Sequence, residues 1–164
     1  KKIIISAMAP SKTFNIAGLT ASMVLIPDED TRETYDKVRQ SLSIGMLNIF
    51  GLTALEAAYR HGEQWLEEVM SYIEDNFDYM ISFIKEEMPH VKCRKPEATY
   101  LGWLDFRNIY PKQDDLNDFL INKAKVALNS GLTFGKQGEG FVRINLGCPR
   151  SILEEALNRI RTAL

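Results

Sequence analysis

Apolar residues change their spacing along this chain, and the change marks out its parts. Between Trp65 and Met88, the residues Leu66, Val69, Met70, Ile73, Phe77, Met80, Ile81, Ile84 and Met88 recur at spacings of three and four. That period predicts one long helix, which at about 1.5 Å per residue spans roughly 36 Å, enough to connect two domains. The e and g heptad positions carry no clear charge pairing, so a packed connecting helix is expected rather than a coiled coil. Pro89 ends it.

Upstream, residues 3–5 and 19–26 read as two short strands rich in Ile, Val, Leu and Thr, with Gly18 in the turn between them. Pro27 to Asp30 breaks the pattern. The acidic residues there suit the start of a helix running to about Gln40. Ser41 to Gly45 reads as a loop, and a second helix is expected from about Leu47 to Arg60, burying Phe50, Leu52, Leu55 and Ala58 before His61-Gly62 stops it. Downstream, residues 99–106 are aromatic and β-prone, and Asp114-Asp115 opens a helix with Leu116, Phe119, Leu120 and Ala124 on one face. Phe141 to Leu146 reads as another strand. A last helix follows, with Ser151 and Glu154 spaced as a capping box. The elements predict an α/β protein with one domain over residues 1–85, including the long helix, and a smaller one over 86–164.

At 164 residues, with 45% apolar and 26% charged, the chain has a globular composition. Twenty basic residues against 22 acidic ones give a formal charge of -2 without a basic block, which argues against nucleic acid and anionic membranes as partners. A small metabolite is the expected partner. No apolar run approaches the roughly 20 residues of a membrane helix. Two separated cysteines, Cys93 and Cys148, fit a reducing cytoplasm and neither a disulfide framework nor a zinc site. The chain opens on Lys1-Lys2-Ile3-Ile4-Ile5 without an initiator methionine, as the C-terminal part of something larger would.

Three segments bear on chemistry. Lys12 follows the first apolar run in Ser11-Lys12-Thr13-Phe14-Asn15. A lysine ammonium titrates near about 10.4 and is a poor nucleophile, but desolvation or a neighbouring cation frees the amine for Schiff-base formation. The plainer alternative is a solvated lysine after a strand. Alternation along Phe141 to Leu146 puts Phe141, Arg143 and Asn145 on one face. A guanidinium held on a strand can grip a carboxylate through two parallel hydrogen bonds; otherwise it is an arginine on a solvated face. The glycine-rich residues 135–140 lack the Gly-Lys-Ser/Thr ending of a phosphate loop and read as a flexible turn. Asp105 and Arg107 read as an ordinary cross-strand charge pair.

Taken in order, Ala9 to Leu19, Pro96 to Arg107 and Phe141 to Arg150 resemble the pyridoxal-phosphate enzymes of the aspartate-aminotransferase fold. Within them the chain is most similar to the carbon-sulfur lyase branch, the cystathionine beta-lyases related to class I/II aminotransferases. The resemblance covers essentially the whole chain, and implies the end of a large cofactor domain plus a complete small α+β domain. It implies that Lys12 carries pyridoxal phosphate and serves as the base, that Ser11 contributes a hydroxyl near the cofactor phosphate, and that Arg143 binds the substrate α-carboxylate. It also implies a cytoplasmic homodimer, with the loop around Ser41 to Asn48 near the neighbouring subunit's cofactor.

Where many aminotransferases of this fold have a serine three residues before the lysine and an arginine eight after it, this chain has Ala9 and Thr20. The family's ring-stacking aromatic, its pyridine-pairing aspartate and its glycine-rich phosphate turn belong upstream of Lys12. The expected activity is β-elimination on a sulfur amino acid. The competing expectations are an aminotransferase, and a catalytically inert piece serving as a folding or interaction module.

Overall fold

The structure is a computed structural model that describes residues 3–45 and 48–164. It divides into two compact units, Lys1–Glu68 and Val69–Leu164.

In the first unit, β1 (Ser6–Met8) pairs antiparallel with β2 (Met23–Leu25), Ala7 facing Val24. The strand expected at residues 3–5 therefore starts later. The one expected over 19–26 is shorter because Ala17–Leu19 forms a 3-10 turn that Thr20 closes at φ 50°. Helix α1 (Glu29–Ser41) opens as its acidic start predicts, with the Asp28 carboxylate accepting from the Thr31 N–H.

Helix α2 (Ile49–His61) is capped by Asn48, whose Oδ1 accepts from the Phe50 N–H at 3.0 Å. Its expected start at Leu47 lies outside the described residues, as does part of the Ser41 to Asn48 loop. The expected burial of Phe50 and Leu52 does not occur, since Phe50 is 72% exposed and Leu52 50%. Gly51 takes the inward position instead, and a Cβ there would come within 2.6 Å of the Leu19 carbonyl oxygen. The absent side chain lets α2 approach the backbone of that 3-10 turn, and this turns Phe50 and Leu52 to either side.

Helix α3 (Glu63–Glu87) is the predicted long helix. Its Phe77, Met80 and Ile84 are buried in the core of the second unit together with Met88, Leu104, Phe106, Leu116, Phe119, Leu153 and Leu157. Because this half of α3 supplies that core, the two compact units part between residues 68 and 69.

The second unit carries a four-stranded antiparallel sheet in the order β3 (Lys92–Cys93), β4 (Leu101–Asp105), β6 (Phe141–Asn145), β5 (Asn129–Ser130). Leu104, Val142 and Ile144 point from it into the core, against α4 (Gln113–Asp118) with its continuation Phe119–Lys123, and against α5 (Arg150–Ala163). The Ser151/Glu154 capping box does not form. Pro149 takes the cap position, which puts Ser151 inside the helix, and the Arg150 N–H donates to the Tyr72 hydroxyl at 2.7 Å.

Asn76 is fully buried and fully used. Its Nδ2 donates to the carbonyls of Leu146 (2.9 Å) and Cys148 (3.0 Å), while its Oδ1 accepts from Arg150 Nε at 2.7 Å. The amide thus fastens α3 to the turn between β6 and α5. Asn76→Ala strands two carbonyls and a guanidinium N–H, and is expected to lower stability by about 2–3 kcal/mol. Urea unfolding monitored by circular dichroism reads this directly, and a midpoint unchanged from the parent would contradict the role assigned to the amide.

Candidate active site

Lys12 and Ser11 lie in the first unit and Arg143 in the second. Past β1, the chain coils into a helical turn in which the Phe14 N–H donates to the Pro10 carbonyl and the Ile16 N–H to the Ser11 carbonyl, both at 3.0 Å. Asn15 closes the turn at φ 55°, a left-handed conformation that asparagine tolerates better than most residues. Pro10 is buried beneath it, Ser11 is half-buried and Lys12 is exposed.

What fixes the turn is Phe14. Its ring meets Tyr59 of α2 edge-on at 5.6 Å and lies 6.4 Å from Trp65 of α3. Gly62, between those helices, leaves room for it, since a Cβ at that position would stand 2.8 Å from Phe14 Cε1. Two residues from this anchor, Lys12 projects from a held backbone and has no hydrogen-bond or ion-pair partner among the described residues.

Arg143 occupies the centre of the outward face of the sheet, as strand alternation predicts. Trp103 of β4 and Asn129 of β5 stand directly across from it on its two sides. Asn129 Oδ1 accepts from Arg143 Nη2 at 3.1 Å, and the Phe134 ring lies 4.6 Å from the guanidinium carbon. Arg143 Nε is buried without a hydrogen-bond partner. An arginine left with an orphan donor lacks the acceptor that would complete it.

Trp103 stacks on Phe141 at 5.6 Å and meets Phe134 edge-on at 5.5 Å. Arg107 also covers Phe141, and grips Asp105 through Nε (2.9 Å) and Nη2 (2.8 Å). That pair joins residues two apart in one segment, rather than crossing strands as expected, because β4 ends at Asp105 and the chain turns back. The guanidinium holds the Asp105 carboxyl below its ordinary range against the opposing effect of burial. Both thiols, Cys93 and Cys148, are pushed up by burial, which keeps them protonated and unreactive near neutrality.

Residues 4–160 match the model of the family described as aminotransferase class I and II. The chain belongs to the class I and II aminotransferases. Over 162 residues it is 44% identical to the cystathionine beta-lyase PatB of Bacillus subtilis, a match covering 99% of this chain and 42% of that protein. It is 36% identical to the protein MalY of Escherichia coli, covering 94% of this chain and 40% of MalY. The crystal structure of cystalysin from Treponema denticola, which contains a pyridoxal 5'-phosphate cofactor, matches with a TM-score of 0.91 at 36% identity, over 97% of this chain and 41% of cystalysin. The chain thus spans about two fifths of the length of the relatives it matches, and the expected aminotransferase-like fold is borne out over that span.

For this member of the aminotransferase family, residue-by-residue reading missed the partners of Arg143. Asn129 sits in a two-residue strand too short to give a period, and Phe134 in a turn whose fold over the sheet no local pattern announces. It also missed Gln113, buried with its Oε1 accepting from the Gly140 N–H at 3.0 Å. That bond anchors the glycine-rich turn leading into β6. Among the described residues, no helix is long and apolar enough to cross a membrane.

Proposed function

We propose that this chain is the C-terminal portion of a pyridoxal-phosphate-dependent carbon-sulfur β-lyase. Residues 1–85 are the end of its large cofactor domain, with the connecting helix, and 86–164 are its small domain. The observation that carries the reading is the Phe14-anchored turn holding an unpaired Lys12 in a chain 44% identical to a cystathionine beta-lyase.

The donor set suits the cofactor. Lys12 offers a primary amine for its aldehyde, the neighbouring Ser11 hydroxyl suits its phosphate, and the planar guanidinium of Arg143 suits the carboxylate of an amino acid. When bound, pyridoxal phosphate supplies an electron sink that acidifies the α-carbon of an attached amino acid. The Arg143 guanidinium binds and orients the α-carboxylate. Lys12 Nζ, as the free amine, takes the proton from Cα. The electron pair left behind expels the sulfur on Cβ as a thiolate, and the released aminoacrylate hydrolyses to pyruvate and ammonia. The working protein is a cytoplasmic homodimer on this reading.

The rival is transamination, favoured by the family's own description. Both reactions share proton removal by Lys12 and carboxylate binding by Arg143, and differ in whether a β-leaving group departs or a proton returns. The whole protein, loaded with cofactor and given L-cystathionine without any keto acid, is expected to release pyruvate, homocysteine and ammonia in equal amounts. Pyruvate formation in a lactate dehydrogenase-coupled assay checks this, and a strict requirement for a keto-acid acceptor would replace the lyase reading by the rival.

A further inference from the structure

Arg143 does not stand alone on its sheet face, and what surrounds it restricts which of its donors a ligand can use. Trp103, Arg143 and Asn129 form one row across β4, β6 and β5. A guanidinium offers donors only, so the asparagine atom facing it is the carbonyl oxygen, as the 3.1 Å bond from Nη2 to Oδ1 records. Phe134 comes from the turn after β5 and is clamped between Trp103, 5.5 Å away edge-on, and the guanidinium, 4.6 Å away. The residue is nevertheless 53% exposed.

We propose that Asn129 and Phe134 are positioning residues that hold the Arg143 guanidinium in one orientation, Asn129 at its edge and Phe134 on its face, leaving the remaining N–H donors for a substrate carboxylate. The inference rests on the carboxylate-binding role of Arg143 proposed above. Arginine has a long flexible stem, and freezing it at the moment of binding would cost affinity. Here the freezing is done beforehand by a neutral acceptor and an aromatic face. Neither partner cancels the positive charge, so the guanidinium keeps its attraction for an anion. An aspartate or glutamate in place of Asn129 would hold the arginine as firmly and neutralise it.

That last contrast supplies the test. In the whole protein loaded with cofactor, the dissociation constant of 3-(methylthio)propionate is measured by calorimetry. This probe has the carboxylate and thioether of a substrate but no amine to react. Asn129→Ala is expected to weaken it by about three- to tenfold through loss of preorganisation. Asn129→Asp should weaken it further, because the new carboxylate competes for the guanidinium. Phe134→Leu should weaken it by about two- to fivefold and Phe134→Tyr restore it. With L-cystathionine the same variants should raise KM and leave kcat nearly unchanged.

Asn129 and Phe134 are both exposed, so the fold is expected to survive each change. A purely structural Asn129 would make the aspartate variant behave like the parent, since the two side chains have the same shape. If Arg143→Lys weakens the probe while the Asn129 and Phe134 variants bind it as the parent does, positioning is overturned and the role of Arg143 stands. If Arg143→Lys also binds normally, the carboxylate role itself fails and the inference goes with it.

Discussion

Lys12→Ala in the whole protein is expected to reduce the turnover of L-cystathionine by about 10³-fold or more, the largest effect of any single change considered for this chain. A positioned general base contributes about 10² to 10⁴-fold, and this lysine is also assigned the covalent attachment of the cofactor. Folding should be untouched, because the side chain is exposed and has no partner among the described residues. Borohydride reduction followed by peptide mass analysis separates chemistry from stability. The parent should carry the cofactor on the peptide containing Lys12 and the variant should carry none. A reduced adduct at a different lysine, with turnover within a few-fold of the parent, would remove Lys12 from the reaction. Partial rescue by added methylamine would show that an amine, rather than the lysine stem, is what the site lost.

For Arg143→Lys, kcat/KM is expected to fall by about 10²-fold, or ~2.7 kcal/mol at 1.36 kcal/mol per decade. Lysine keeps the charge. What it loses is the planar fork and the ability to cover the Phe134 ring at 4.6 Å while bonding Asn129 at its edge. The loss should appear mainly in KM, and the absorbance of bound cofactor should be unchanged, since Arg143 is assigned to the substrate and not to pyridoxal phosphate. Steady-state kinetics and a cofactor titration on one preparation check both statements. An unchanged KM for cystathionine would take Arg143 out of the site, while loss of cofactor would mean its role had been misassigned.

Much of the molecule was legible in the sequence wherever a period was long enough to read. The 25-residue helix α3 showed itself through repeated spacings of three and four, and the alternation of β6 placed Arg143 on the outward face. Acid-rich Pro27 to Asp30 announced the start of α1, and the cap bond of Asp28 realises it. Reading failed where a local rule competed with a neighbour. Ser151 and Glu154 have capping-box spacing, yet Pro149 begins the helix two residues earlier and Tyr72, from far along the chain, takes the Arg150 N–H. Phe50 and Leu52 have core-like character, yet one glycine between them makes the closer approach.

Taken by itself, the sequence determined the chemistry on offer: a lysine in Ser-Lys-Thr-Phe-Asn, an arginine on a strand face, and a family resemblance carried by segments in order. These are properties of residue type and short-range spacing, which survive without knowing what packs where. Only the tertiary structure decided what holds each group. Phe14 seated against Tyr59 and Trp65 fixes the lysine turn, Asn129 and Phe134 fix the guanidinium, and Asn76 ties α3 to the turn before α5. Each of these links joins residues about 9 to 72 positions apart. A contact over such separations depends on the packing of whole elements, and no periodicity within either partner encodes it.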